Sequence, residues 1–136
     1  MNAFVMHLQS ATQYERLENV VSFVGEDDSG HFGLLPSHER TMTVLRFGLA
    51  RFCLAGSDWE YLALPGAVVY FVDNVLSLST RRYVYDKEYA RVVDILRREF
   101  AAEEEVLQDI KESVRQLEEE VLRRLWQMRR RGEREV

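Results

Sequence analysis

The chain changes its sequence pattern once, at Tyr85–Asp86, and this change limits what it can fold into. Before that point, short apolar runs alternate with Gly, Pro, Asn and Asp, which is typical of strands and tight turns. From Asp86 to Arg131 there is neither Gly nor Pro, and apolar residues recur at helical spacing. The recurring residues are Val93, Leu96, Phe100, Leu107, Ile110, Val114, Leu117, Val121 and Met128. The sequence therefore predicts a β domain over residues 1–85 and a helical domain over residues 86–136.

The β domain is expected to be an antiparallel β-sandwich of about ten short strands, because many short strands with regular turns favour that architecture. Polar turns rich in Gly, Asn and Asp separate the apolar runs, for example at 25–30, 55–58 and 73–74. The strands that can be placed are Phe4–Gln9, Asn19–Val24, His31–Leu35, Thr41–Leu45, Leu49–Leu54, Trp59–Leu64, Ala67–Val72 and Val75–Ser79.

The helical domain is expected to be either a helical hairpin or one extended helix. Its apolar seam keeps a seven-residue register that only Glu103 and Arg124 interrupt, a pattern that favours pairing with another helix. Residues 101–105 are small or charged for a full turn, so we expect a hairpin break there, although all five are good helix formers. Asp86 is interpreted as the N-cap of the first helix.

Charge and cysteine content exclude several classes of function. The formal net charge of -5 gives no general attraction for nucleic acid. The single cysteine, Cys53, cannot form an intrachain disulfide, which suits a reducing compartment. We find no signal-peptide pattern at the start of the sequence, and the longest apolar segment, Ala67–Leu78, is shorter than the roughly 20 residues that span a bilayer. These features favour a soluble, cytoplasmic chain.

The most distinctive motif is Gly30-His31-Phe32-Gly33-Leu34-Leu35-Pro36-Ser37-His38. It resembles the Gly-x-Leu-Gly-x-x-Pro-x-His loop of the epsilon subunit of F-type ATP synthases, although Phe32 stands where that family usually has an aliphatic residue. The segment 47–52 resembles the family's Pro-Gly-x-x-Arg-Ile element, and the segment 61–75 resembles its Ser-Gly-Gly, Val, Asn-x-Val series. The order and spacing of these elements carry the resemblance.

Three departures mark the chain as a divergent relative of that family. Arg40 stands where the loop usually carries a second proline, and Pro65 replaces the first glycine of a Gly-Gly pair. Residues 79–82 are Ser-Thr-Arg-Arg, where an Ala-Asp-x-Ala stretch is common. An alternative, sodium-type ATPase is therefore one candidate for the parent complex.

The resemblance implies a non-catalytic subunit of the central stalk that has no cofactor, metal or catalytic residue. Its sandwich would contact the gamma subunit and the membrane ring of c subunits, at the cytoplasmic face of the cell membrane. The ring contact would involve His31, Phe32, Leu34 and His38. The helical arm would inhibit ATP hydrolysis by placing arginines against the catalytic alpha and beta subunits. These arginines are Arg123, Arg124, Arg129, Arg130 and Arg131.

Simpler interpretations of the same residues remain open. The glycines of the motif can serve a turn alone, and cations near a helix end complement its macrodipole. A stand-alone adaptor that dimerises through a coiled-coil tail fits the heptad pattern. His31, His38 and Glu39 allow a cupin-like two-His-one-carboxylate metal site. The Asp-x-x-Arg-Ala element that some epsilon subunits use to bind ATP is not met, because Tyr89 occupies the arginine position, and we expect weak or absent nucleotide binding.

Overall fold

The structure, a computed structural model, describes residues 2–135, with side chains for residues 2–130. Nine strands precede three consecutive helical segments in these residues, and the predicted fold class of a β-sandwich followed by helix is confirmed. The strands are β1 Phe4–Gln9, β2 Tyr14–Asp27, β3 Gly30–Leu34, β4 Thr41–Leu45, β5 Gly48–Leu54, β6 Trp59–Leu64, β7 Ala67–Val72, β8 Val75–Thr80 and β9 Val84–Asp86. The helical segments are α1 Tyr89–Ile95, a π-helical segment Leu96–Phe100, and α2 Ala101–Glu135.

The strands follow the order β4-β7-β8-β1-β2-β5-β6-β9, with β3 paired to β2 outside this path. All pairs are antiparallel except β1 with β8, which is parallel. The expected antiparallel pattern is wrong for this one pair, because β1 lies between β2 and a strand that comes much later in the chain. A parallel neighbour requires such a long crossover connection, and residues 10–74 supply it.

Two strand regions were not predicted. β2 begins at Tyr14 and continues past Asn19, whose φ of 61° lies beside a register shift between Val20 and Ser22. This irregularity lets one long strand pair with β1 in its first half, with β5 in its middle and with β3 at its end. The short strand β9 pairs Val84 and Tyr85 with β6, so the β domain extends to Asp86.

The core forms from the inward face of alternating strands. In β1, Phe4, Met6 and Leu8 are buried and the residues between them are half-buried, as a period of two requires. Phe4 meets Phe71 of β7 edge-on, with ring centroids 5.4 Å apart, so side chains of β1 and β7 pack together in this core. No polar or charged residue among the described side chains is fully buried.

The helical part divides differently from the expectation. Residues 1–101 and 102–136 form two compact units, whereas the sequence pattern placed the boundary at Tyr85–Asp86. The physical reason is that Val92 and Phe100 are buried together with Ala63 of β6, which holds α1 and the π-helical segment on the sandwich. The predicted hairpin break at 101–105 is wrong, because these residues form the first turns of α2.

The helix N-cap was also assigned to the wrong residue. α1 begins at Tyr89 and its N-cap is Glu88, without a capping hydrogen bond from a side chain. Asp86 instead ends β9, and its Oδ1 accepts a hydrogen bond of 2.9 Å from the backbone N–H of Glu88. Its Oδ2 accepts a second one, of 3.0 Å, from Nη1 of Arg91. Asp86 therefore stabilises the turn between β9 and α1.

Candidate partner-binding surfaces

The structure divides the glycine motif between a strand and a turn. Residues 30–34 form β3, in which His31 lies opposite Glu26 of β2. His38 follows in the next turn, where its ring meets Phe71 edge-on at 6.0 Å. In that turn the backbone N–H of Ser37 donates a 2.8 Å hydrogen bond to Asn74. A five-residue strand spans roughly 16 Å, so the motif presents its two histidines at separate places.

The turn between β2 and β3 is held by its own side chains. Gly30 has a φ of 117°, a backbone angle that favours glycine. The backbone N–H of Ser29 donates a 2.9 Å hydrogen bond to Asp27 Oδ1, and Thr43 of β4 donates one of 2.7 Å to Asp27 Oδ2. Hydrogen bonds from the Ser29 and Thr43 hydroxyls lower the pKa of Asp27. The turn is therefore tied to β4.

The prediction that Leu34 takes part in the ring contact is wrong. Its side chain is 1% exposed and belongs to the core, because it lies on the inward face of β3 opposite Phe23. Phe32 is half-buried and packs on the same core, with its ring centroid 6.4 Å from that of Phe23. The exposed residues of the motif are His31, Gly33, Leu35, Ser37 and His38, of which Leu35 is 60% exposed.

The suggested metal cluster is not assembled by this geometry. His38 Nδ1 lies 2.8 Å from the backbone oxygen of Glu39, not from its carboxylate. His31 lines a cleft with Arg51, Tyr61 and Tyr89, whereas His38 lines a different one with Arg40 and Asn74. Across the described side chains, no three His, Cys, Asp or Glu residues come together in an arrangement suited to a metal ion.

An exposed apolar surface on β4 and β7 was missed in the sequence. Met42 and Val44 point outward from β4 and are 71% and 63% exposed, and Val68 of β7, opposite Val44, is 43% exposed. Phe47, which follows β4, is 39% exposed and lines a cleft with Val44 and Val68. We call these four residues the β4–β7 patch. In Thr41-Met42-Thr43-Val44-Leu45 apolar residues fall on both faces of one strand, which does not show which face is exposed.

Arg40 provides a positive charge next to this patch. Its Cζ lies 5.4 Å from the centre of the Tyr70 ring, and its Nη2 donates a 2.5 Å hydrogen bond to the Tyr70 hydroxyl. Tyr70 lies opposite Met42 across the β4–β7 pair. An apolar centre flanked by an arginine and a tyrosine is typical of protein–protein contacts. Arg40 is also one of the residues in which the chain departs from the epsilon motif.

The predicted arginines lie on α2. Arg123, Arg124, Arg129 and Arg130 are exposed, and the side chain of Arg131 lies outside the described side chains. Arg124 Nη2 donates a 2.8 Å hydrogen bond to Glu120 Oε1 within the same helix. The sequence correctly places these cations on a helix, and their role against a partner stays a prediction.

The start of α1 does not present a free phosphate-binding arginine. Arg91 is engaged with Asp86, and Tyr89, at the position of the ATP-binding arginine, packs edge-on against Tyr61 at 5.0 Å. The expectation of weak or absent nucleotide binding stays a prediction.

A cluster of tyrosines and acidic groups lies beside β9. Burial, followed by the neighbouring carboxylate of Glu15, raises the pKa of Tyr85 to about 12. Burial, followed by the Glu15 carboxylate, also raises the pKa of Tyr83, whose hydroxyl is buried. Both pKa values lie further above physiological pH than that of an ordinary tyrosine, so the two hydroxyls stay protonated there.

Comparison with known proteins decides the family. Residues 6–86 match the family model described as "ATP synthase, Delta/Epsilon chain, beta-sandwich domain". The chain belongs to this family. The resemblance drawn from the glycine motif is thereby confirmed.

None of the helices in the described part of the chain combines the length and apolar character needed to cross a bilayer.

Individual relatives agree with the family assignment. The ATP synthase epsilon chain 2 of Cereibacter sphaeroides is 33% identical over 86 residues, which cover 62% of this chain and 59% of that protein. A chain in the mitochondrial ATP synthase of Euglena gracilis, solved as the OSCP/F1/c-ring assembly, matches with a TM-score of 0.59 at 18% identity, covering 62% of this chain and 54% of that one. A chain in the central stalk and c-ring structure of the Tetrahymena thermophila mitochondrial ATP synthase matches with a TM-score of 0.52 at 9% identity, covering 59% and 64%. The two structures share the fold, and the matches span less than two thirds of each relative.

Proposed function

We propose that this chain is the non-catalytic central-stalk subunit of a rotary, F-type ATP synthase. In this role the sandwich links the gamma subunit to the membrane ring, so that rotation driven at one end is transmitted to the other. The chain would lie at the cytoplasmic face of the membrane as a peripheral part of the complex and would need no cofactor. Membership of the delta/epsilon family supports this proposal.

The observation that carries the proposal is the β4–β7 patch. Three of its apolar side chains lie on the paired strands β4 and β7, Phe47 follows β4, and all four are 39–71% exposed. Leaving such a surface in water is unfavourable, at about 25 cal/mol for each Å² of apolar area. A contiguous apolar surface with a polar margin marks an interaction site. We assign the patch to the gamma subunit. A subunit that rotates together with gamma must stay bound to it, and permanent interfaces are more apolar than transient ones.

We assign the contact with the membrane ring to the exposed residues of the glycine motif. His31 and His38 are exposed at separate places, and the hydrogen bonds of Asp27 and Ser37 hold the turns beside them. Rigid turns lose little conformational entropy on binding, which favours contact with the polar loops of a ring. Phe32 contributes through its packing beneath this surface, and Leu34 is excluded from the contact by its burial.

The helical arm is proposed to inhibit ATP hydrolysis. α2 carries Arg123, Arg124, Arg129 and Arg130 within its C-terminal half, and the predicted set also includes Arg131. Such a cluster can pair with acidic segments of the alpha and beta subunits, and charge pairing of this kind contributes specificity more than affinity.

The test of the proposal is binding to the gamma subunit of the same organism. We expect the purified chain to bind gamma, and Val44→Glu to weaken this binding by about tenfold or more, because it places a charge in the centre of an apolar contact. Leu122→Glu is the matched control, since Leu122 is 66% exposed on α2 and lies outside the patch. Both variants should keep the thermal unfolding curve of the unmodified chain.

Two results would contradict the proposal. An unmodified chain that fails to bind gamma would remove the stalk role. Equal binding by Val44→Glu and by the Leu122→Glu control would remove the assignment of the β4–β7 patch to gamma.

A further inference from the structure

An arginine stands at each end of the strand that carries most of the β4–β7 patch. Arg40 directly precedes β4 and Arg46 directly follows it, and both are exposed. Six residues of extended chain separate them, which corresponds to about 20 Å. Met42 and Val44, the outward apolar residues of β4, lie between the two arginines.

The sheet beside these arginines carries no charge of its own. β4, β7 and β8 are neighbours in the sheet, and their 5, 6 and 6 residues include no acidic residue, no basic residue and no histidine. A partner that covers this face therefore meets apolar and hydroxyl side chains in the middle and a cation at either end of β4. The ends of β4 are where charge can distinguish one partner from another.

The guanidinium of Arg40 is held in place on the patch side. It lies over the ring of Tyr70, with its Cζ 5.4 Å from the ring centre, and its Nη2 donates a hydrogen bond to the Tyr70 hydroxyl. These contacts use an aromatic ring and a hydroxyl rather than a carboxylate, so they leave the positive charge uncompensated. Asp73 lines the cleft on the other side of Arg40.

The charge of Arg46 is only weakly compensated. Its Nε lies 3.9 Å from Oδ1 of Asp28, and the two side chains are 60% and 101% exposed, so the pair contributes little. The backbone N–H of Arg46 donates a 2.9 Å hydrogen bond to the backbone oxygen of Glu26, which fixes the chain at this end of β4. Arg46 is therefore a second cation at a defined position.

We propose that the surface of gamma that covers the β4–β7 patch carries carboxylates opposite Arg40 and Arg46, and that Arg40 decides which gamma subunit the chain accepts. The inference rests on the proposed function, in which gamma covers this patch. An arginine at the margin of an apolar contact attracts a carboxylate and repels a cation, which gives specificity more than affinity. Because Tyr70 already orients Arg40, little conformational freedom is lost when a carboxylate binds it.

The first test measures binding of the full chain to gamma of the same organism at about 0.05 M and about 0.5 M NaCl. At the lower concentration Arg40→Glu should weaken binding by about tenfold or more, and Arg40→Lys, which keeps the charge, by less than about threefold. The higher salt concentration should reduce the effect of Arg40→Glu, because it screens the repulsion. Arg97→Glu makes the same charge change at an exposed site of the π-helical segment and is the matched control.

A charge-reversal screen tests for the carboxylate on gamma. Exposed Asp and Glu residues of gamma are changed to Lys one at a time, and each variant is mixed with the unmodified chain and with Arg40→Glu. At least one gamma variant should bind Arg40→Glu about tenfold more tightly than unmodified gamma does, and should bind the unmodified chain more weakly.

An anionic lipid surface is the competing partner, because arginines beside an apolar patch also suit anionic headgroups. Vesicles of phosphatidylglycerol are the probe. We expect the unmodified chain and Arg40→Glu to bind them equally weakly.

Three results would overturn the inference: Arg40→Glu binding gamma as tightly as Arg97→Glu does, no gamma variant restoring the binding of Arg40→Glu, or binding to the vesicles that depends on Arg40. If Val44→Glu loses gamma binding while Arg40→Glu keeps it, this inference fails and the proposed function stands. If the unmodified chain does not bind gamma, both fail.

Discussion

The guanidinium of Arg82 lies over the ring of Phe100, with its Cζ 5.0 Å from the ring centre. Its Nη2 also donates a 2.8 Å hydrogen bond to Oε2 of Glu99, the residue before Phe100. Phe100 is fully buried, and the backbone N–H of Ala101 bonds back to the oxygen of Leu96, five residues earlier. A π-helical turn of this kind adds a residue to the helical turn, and here it lies where Phe100 packs beneath Arg82. Arg82 therefore fastens the last helical turn of the first unit to the sandwich.

Arg82→Ala is expected to loosen this attachment. It removes one cation–π contact and one ion pair, in which the side chains of Arg82 and Glu99 are 40% and 50% exposed. The free energy of unfolding should fall by about 1 kcal/mol, and amide exchange at residues 96–100 should become faster. Arg97→Ala, an exposed change on the same segment, should alter the stability by less than about 0.5 kcal/mol. Equal effects of the two variants in urea unfolding would show that the Arg82 contacts are not stabilising.

Tyr85 is expected to make stability fall in alkaline solution. Burial and the Glu15 carboxylate raise its pKa to about 12 in the folded chain, whereas the unfolded value is about 10. Its contribution is therefore complete below about pH 10 and is lost as the pH rises towards 12, because the unfolded chain releases the proton first. Tyr83 acts in the same direction.

The measurement for Tyr85 is urea unfolding at several pH values between about 9 and 12. Tyr85→Phe should reduce the fall in stability across this window, since the variant has no proton to release. Tyr89→Phe, at a site that is 55% exposed, is the matched control and should follow the unmodified chain. An undiminished fall in Tyr85→Phe would contradict the assignment.

Removal of α2 is expected to relieve the inhibition of ATP hydrolysis while ATP hydrolysis stays coupled to ion transport. Truncation after Ala101 keeps the first compact unit, including Phe100 and its contacts with Arg82, and removes all the predicted inhibitory arginines. A reassembled ATP synthase with the truncated chain should hydrolyse ATP faster and still drive ion transport. Full-length chain with Arg129→Ala and Arg130→Ala should show part of the same increase. Hydrolysis unchanged by truncation would remove the inhibitory role.

Much of the fold was predictable because its signals are local. Seven strand runs bounded by turns were placed within about one residue of the observed strands, since alternation and turn residues act over a few positions. The first half of β2 and the whole of β9 were missed because they contain few consecutive apolar residues and are stabilised by partners distant in sequence, such as Leu62 for Tyr85. The π-helical turn likewise has no local signal, and it lies where Phe100 packs under Arg82 of the connection between β8 and β9.

The candidate surfaces show where a motif stops being informative. The glycine motif identified the family correctly, but it gave no indication that Leu34 points into the core, which the alternation along β3 decides. The exposure of Met42 and Val44 could not be predicted from alternation, because the pattern Thr-Met-Thr-Val over 41–44 would assign the two apolar residues to the core face. The break expected at 101–105 failed because helix propensity, favourable at every position there, outweighed the missing apolar stripe.

The most direct test of the central claim is ATP-driven ion uptake by membrane vesicles that contain the complete complex. Complexes that lack this chain should hydrolyse ATP with little ion uptake, and adding the chain back should restore uptake, whereas Val44→Glu should restore far less. Full ion uptake in the absence of the chain would contradict a role in transmitting rotation between the catalytic head and the membrane ring.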